Sequence, residues 1–372
     1  MENRLANQTE NVSAGRAGSA GRLAFVGSYA EPDGPGLYAC RFDESDGSFT
    51  VLDTVSGLKN PTFLDLDPEG RKLYVLSEGE DEQGRRCGMA SAYEIDPASG
   101  ALRFVNREIT VPASTCHITL DRDASCLMTA SYHGGMIGMS PLLEDGRVGE
   151  ISDVRQHSGS SVLPVQSQPR AHSVTVDRNN RYAIACDLGL DRIFVYRLDL
   201  EAFKFVPHRE VAVAPGSGPR HFAFRPDFRF AYAIHELNAT ISAFSYDEEQ
   251  GELREIQAVS TLPASYQGEN ACAEIALSAD GRFVYGSNRG HDSIVVYAVD
   301  PDTGLLAYVE HVSTLGGHPR HFALSPDGRY LAVANRDSNE LVTFRRDAST
   351  GRLTPAGQTL ALSKPVCIKF LA

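Results

Sequence analysis

Six segments of this chain repeat one pattern. DPEGRKLYVLSE, DRDASCLMTASY, DRNNRYAIACDL, PDFRFAYAIHEL, ADGRFVYGSNRG and PDGRYLAVANRD each place a tight polar turn, usually with a basic residue, ahead of an apolar-rich strand that ends in small polar residues. With Arg71 as the register, the equivalent positions are Ser125, Arg181, Arg229, Arg282 and Arg329, spaced 47 to 56 residues apart. A seventh copy, GRLAFVGSYA, has its register at Arg22. A unit of this length that recurs is a supersecondary element that buries its apolar surface by stacking on copies of itself.

A second marker runs in phase with the first. FDESDGSFT, IDPASGALR, YDEEQGELR, VDPDTGLLA and RDASTGRLT place Gly47, Gly100, Gly251, Gly304 and Gly351 at one position, LLEDGRVG supplies Gly146, and RLDLEAFKF has lost its glycine. Acidic residues followed by glycine supply the geometry of hairpin turns. Each unit then holds four short strands, most plainly HFALSPD, RYLAVANRD, ELVTFRRD and LTPAGQTLAL, with no amphipathic helix of 10 or more residues. The expected fold is all-β: a seven-bladed β-propeller with four antiparallel strands per blade. GRLAFVGSYA reads as a second strand and the C-terminal KPVCIKFLA as a first strand. Their pairing in one blade closes the ring and removes a free sheet edge. The propeller is expected over residues 21–372, with residues 1–20, polar and small, as a disordered tail.

Charge and cysteine usage narrow the function. A net charge of −13 has the wrong sign for gripping a nucleic-acid backbone, and no apolar run is long enough to span a membrane, so neither partner is expected. Seven scattered cysteines, never Cys-x-x-Cys, indicate reduced thiols and a cytoplasmic location. No cofactor or metal is expected: there is no dinucleotide fingerprint, P-loop, Gly-x-Ser-x-Gly or dense ligand set.

In a propeller, the start of the first strand and the end of the second lie at one mouth of the central channel. First-strand starts carry Cys116 and His117, His172, Arg220 and His221, Glu274, and Arg320 and His321; second-strand ends carry Glu78, His133, Asp187, His235 and Glu236, Arg289, and Arg336. Two readings stand side by side. A wet channel is polar in any propeller, and His117, His221 and His321, which share one repeat phase, suit hydrogen bonds to neighbouring backbone. Arg220, Glu236 and Arg289 instead depart from the repeat, as a site grafted onto a fold must.

At these residues the sequence resembles the lactonase family of seven-bladed propellers, which includes propeller-type 6-phosphogluconolactonases and a carboxy-cis,cis-muconate cyclase. GSGPRHFAFRPDFRFAYAIHELNATISAF, STLPASYQGENACAEIALSADGRFVYGSNRGHDSI and GGHPRHFALSPDGRYLAVANRDSNELVTF carry the resemblance. It implies a rim site with His172, Arg220, Glu236 and Arg289 as catalytic residues and with His117, His133, His221, Glu274, Arg320 and Arg170 around the substrate. QPRAHS departs from the family pattern, with Arg170 where a histidine is usual. The implied activity is hydrolysis of a small anionic sugar-acid lactone. The alternatives are muconate ring closure and a non-catalytic interaction scaffold.

Overall fold

The computed structural model describes residues 21–371, so the expected tail over 1–20 lies outside the described residues. Within them, 28 strands form seven four-stranded antiparallel sheets, and the one helical element is the 3-10 turn Pro164–Gln166. The seven-bladed expectation holds strand for strand. The closing blade has the order Pro365–Phe370, Arg22–Ser28, Leu37–Phe42, Phe49–Val55, with Phe25 opposite Lys369 and Val26 opposite Ile368.

The turn chemistry explains the repeated motif. In SPDGR the Asp327 carboxylate accepts the Arg329 amide at 3.0 Å and the Ser325 hydroxyl at 2.6 Å, while Gly328 takes φ +70°. The following second strands, such as Phe230–His235 and Tyr330–Asn335, are buried at every residue. They read as continuous apolar runs because adjacent blades cover both faces. Outer strands such as Phe49–Val55 alternate half-buried and exposed residues.

Blades are tied to one another by the same motif. The hydroxyls of Tyr74, Tyr182, Tyr232, Tyr285 and Tyr330 donate to the carbonyls of Gly146, Glu249, Gly304, Gly351 and Ser45, each in the turn of the next blade, at 2.9 to 3.2 Å. Register arginines reach the same turns: Arg181 donates to the Glu248 carbonyl at 2.7 Å and Arg282 to that of Ser349 at 3.2 Å. The hairpin glycine is needed for its positive φ and for close approach. At Gly251 φ is +58°, and a Cβ would lie 2.6 Å from a ring carbon of Tyr182 in the preceding blade. In the unit that lacks glycine, Phe203 adopts φ +50°, a conformation costly for a bulky side chain.

This packing sets an expectation. Gly357 has φ +78° with open space around its would-be Cβ, so Gly357→Ala bears only the backbone penalty of ~1–2 kcal/mol. Gly251→Ala adds an overpacking cost of ~1–3 kcal/mol. Urea denaturation should rank Gly251→Ala as the less stable variant; equal midpoints would contradict the close packing of turn on ring.

Candidate active site

The innermost strands bring one repeat position from six blades into the channel, Phe63, His117, His221, Glu274, His321 and Cys367, and His172, one position earlier in its own repeat, joins them. The Phe63 ring lies 4.4 Å from that of His117, 5.8 Å from His221 and 5.6 Å from His321. The His221 ring lies 5.2 Å from His172 and 5.3 Å from His117. Nδ1 of His221 donates to Oε2 of Glu274 at 3.0 Å, and Nε2 of His321 is 3.3 Å from the same oxygen. All seven residues are less than 10% exposed, so they form a buried layer across the channel.

The shared phase hides different tasks. Nδ1 of His117 accepts the Val174 amide at 3.5 Å, and Nδ1 of His321 accepts the Ile368 amide at 3.3 Å, so these two imidazoles strut adjacent first strands. The backbone reading is therefore right for both. His221 serves Glu274 instead, and Nδ1 of His172 is buried without a hydrogen-bond partner. Burial, followed by nearby Arg220, holds His172 and its neighbour His221 well below the usual imidazole range, and burial pushes His321 down to about 3.

Above this layer sits a cluster of charges. Oε2 of Glu236 accepts from Nε of Arg220 at 3.0 Å and is ion-paired with Nη2 of Arg289 at 2.8 Å. Arg220 also donates to the Ala273 carbonyl at 2.6 Å, and Arg289 to those of Ala271 and Cys272 at 3.0 and 2.8 Å. Local backbone irregularity aims these groups. The strand register slips between Ala171 and Ser173, Pro219 and His221, Cys272 and Ile275, and Pro319 and His321. His172, Arg220, Glu274 and Arg320 therefore all lie on bulges, which re-aim side chains. Burial pushes the Arg220 guanidinium down to about 10, helped by Arg289 and Arg320. Burial pulls Glu236 upward, but Arg289, Arg220 and Arg320 outweigh it and hold the carboxyl below its ordinary value.

A cavity of about 240 Å³ opens over the cluster, lined by Tyr29, Thr62, Glu78, Cys116, Tyr132, His133, His172, Glu236, Arg289 and Arg320 among others. Arg320 stacks on Tyr29, 5.4 Å from the ring centroid, and has no carboxylate within 4 Å among the described residues. Burial pushes the Cys116 thiol up to about 11, so it stays protonated rather than acting as a nucleophile. Three larger grooves, about 830, 610 and 390 Å³, share no lining residue with this cavity.

Of the residues expected from sequence, His172, Glu236, Arg289, His133 and Arg320 line the cavity. Arg220 supports it through Glu236, and His117, His221 and Glu274 belong to the layer beneath. Arg170 is not among the lining residues: its guanidinium lies 4.9 Å from the Tyr132 ring centroid and its Nε donates to the Val165 carbonyl at 3.3 Å. Tyr29, Thr62, Phe63 and Tyr132 were not expected. Phe63 was findable, because it occupies the histidine phase of its repeat.

The family model for the lactonase seven-bladed β-propeller matches residues 23–370. The chain belongs to that family. It is 35% identical over 350 residues to the 6-phosphogluconolactonase of Bacillus subtilis, covering 94% of this chain and 98% of that one. To the 6-phosphogluconolactonase of Formosa agariphila it is 33% identical over 306 residues, covering 80% and 85%. Among solved structures, the periplasmic gluconolactonase of Pseudomonas aeruginosa superposes with a TM-score of 0.88 at 35% identity, covering 94% of this chain and 99% of that one.

The buried imidazoles give this lactonase-family propeller a pH signature. Unfolded histidine takes up a proton below about pH 6.5, whereas folded His321 does so only near 3. Between those values the unfolded chain holds the extra proton, so stability is lost as pH falls, by ~1.4 kcal/mol per pH unit for each such histidine. Glu236, depressed in the fold, adds stability above the ordinary carboxylate range that is lost in the same direction. Chemical denaturation between pH 7 and 4 should show a steep fall that is shallower in His321→Gln; a flat profile would contradict neutral burial of these rings.

Proposed function

We propose that the protein hydrolyses a sugar-acid lactone, with 6-phosphoglucono-1,5-lactone as its substrate, in the cavity above the imidazole layer. The observation that carries this reading is the Arg220–Glu236–Arg289 clamp beside His172, whose Nδ1 is unpartnered. The names of the Bacillus subtilis and Formosa agariphila relatives support it. A cavity of about 240 Å³ suits a sugar-sized ligand rather than a peptide or nucleic acid. Three guanidiniums, Arg289 and Arg320 in the wall and Arg220 behind it, outnumber the two lining carboxylates, Glu236 and Glu78, which favours an anion.

Lactone hydrolysis needs an activated water, a stabilised oxyanion and a proton for the leaving alkoxide. His172 takes the proton of water as the hydroxide oxygen bonds to the acyl carbon. Arg289 faces the developing oxyanion, since guanidinium is a rigid donor fork that does not lose its proton. The acyl–oxygen bond of the ring then breaks, and His172 returns the proton to the alkoxide, leaving the open hydroxy acid. Glu236 fixes Arg289, and Arg220, only 2% exposed, fixes Glu236. Arg320, held on an aromatic face, is the cation free for the substrate's phosphate. We place the enzyme in the cytoplasm. Its seven cysteines are all unpaired, which supports a reducing compartment, although the Pseudomonas aeruginosa relative is periplasmic.

A pH-stat assay with fresh 6-phosphogluconolactone, run beside unphosphorylated gluconolactone, tests the reading. The phosphorylated lactone should be favoured in kcat/KM, and Arg320→Ala should narrow that preference. Arg289→Ala should lower kcat by ~10²–10³-fold, as loss of an oxyanion donor does. His172→Ala should lower it by ~10²–10⁴-fold. Equal efficiency on both lactones would remove phosphate recognition, and hydrolysis of neither would overturn the proposal.

A further inference from the structure

We propose that His221 and Glu274 act behind His172 as a proton relay that sets the charge of the base against a carboxylate; this rests on the reading of His172 as the base. His172 is 4% exposed, yet its Nδ1 has no partner. His221, likewise 4% exposed, gives its Nδ1 proton to Glu274 at 3.0 Å, which fixes Nε2 as an acceptor, and that Nε2 is also buried and unpartnered. The two rings have centroids 5.2 Å apart at an interplanar angle of 62°. The two nitrogens are not hydrogen-bonded to each other in this structure, and a small ring rotation into one N–H···N contact, or one bridging water, would satisfy both at once.

The electrostatics explain why such a relay is useful. Protonated His172 would face Arg220, Arg320 and Arg289 with no partner on its Nδ1, whereas His221 faces the same guanidiniums but is hydrogen-bonded to the Glu274 carboxylate. Glu274 is 8% exposed, and among the described residues its ion-pair partners within 4 Å are the imidazoles of His221 and His321. Its remaining oxygen, Oε1, accepts the Ile275 amide at 3.0 Å. The Lys369 ammonium, 5.6 Å from the Phe63 ring centroid, is already 3.2 Å from Asp65. Glu274 is therefore a carboxylate set against neutral rings, ready to stabilise one of them as a cation.

When water gives its proton to Nε2 of His172, the Nδ1 proton of His172 passes to Nε2 of His221. Its own Nδ1 proton stays hydrogen-bonded to Glu274, so the imidazolium rests on His221 against a carboxylate. Return of the proton to the leaving alkoxide reverses both transfers, and no atom or electron is left over. His221 and Glu274 are positioning residues in this scheme, since neither lines the cavity.

The test is a proton inventory, the hydrolysis rate in mixtures of light and heavy water, with 6-phosphogluconolactone as probe. Native enzyme should give a bowed plot, since two protons move together. Glu274→Gln keeps an acceptor for both imidazoles but removes the charge. It should lower kcat about 10- to 100-fold, a share of the ~10²–10⁴ that general base catalysis supplies. KM should stay within about twofold, and the plot should become straight. His221→Asn keeps a donor for Glu274 and deletes Nε2; it should show the same changes, and it guards against a Glu274→Gln that does not fold. A straight plot for native enzyme, or full kcat with a bowed plot in either folded variant, overturns the relay and leaves the base reading intact. Full activity in His172→Ala instead removes the base reading itself.

Discussion

A four-stranded sheet with two apolar faces cannot bury either of them alone, and everything else in this protein follows from how that is solved. Second strands such as Phe230–His235 are covered on both sides only because each blade stacks on two others. The tyrosine and arginine contacts to the next blade's turn fix the spacing of that stack. Tyr330 makes the same contact to Ser45 across the closing blade, where the strand Pro365–Phe370 completes the sheet begun by Arg22–Ser28. With the ring closed, residues separated by more than 250 positions, Phe63 and His321 among them, share one buried layer.

That layer and the rim above it divide the electrostatic work. At the mouth, the guanidiniums of Arg220, Arg289 and Arg320 outnumber the carboxylates of Glu236 and Glu78, a balance that suits the proposed anionic substrate. Beneath them, burial keeps the imidazoles neutral, so the layer seals the channel without adding to the positive charge. Arg220 shows how closely the two levels are coupled. It is nearly inaccessible, and it binds both Glu236 at the mouth and the Ala273 carbonyl next to Glu274 of the layer. A substitution there disturbs the position of Arg289 without removing any group from the cavity wall.

The fold was largely legible in the sequence because the repeat is written in turn chemistry: the Asp–Gly turns, the register arginine and the hairpin glycine each have a local physical role. The clustering of His172, Arg220, Glu236 and Arg289 was legible for the same reason, since repeat phase fixes which rim a residue reaches. What phase does not encode is which way a side chain turns once there. His117, His221 and His321 share one phase, yet two brace backbone and one serves a carboxylate, while His172, one position earlier in its repeat, is left unpartnered. Arg170 was expected beside the substrate, but its guanidinium is drawn onto Tyr132, a contact that depends on the loop preceding it and not on the repeat.

The central claim is that ring closure builds one anion-binding cavity where the ester bond is broken. A crystal structure with the open hydroxy acid, 6-phosphogluconate, tests it most directly. The account places the carboxylate of that product against Arg289 and His172, with its phosphate on Arg320. Product seated in the outer groove beside His157 and Tyr196, or at the opposite mouth of the channel, would contradict it.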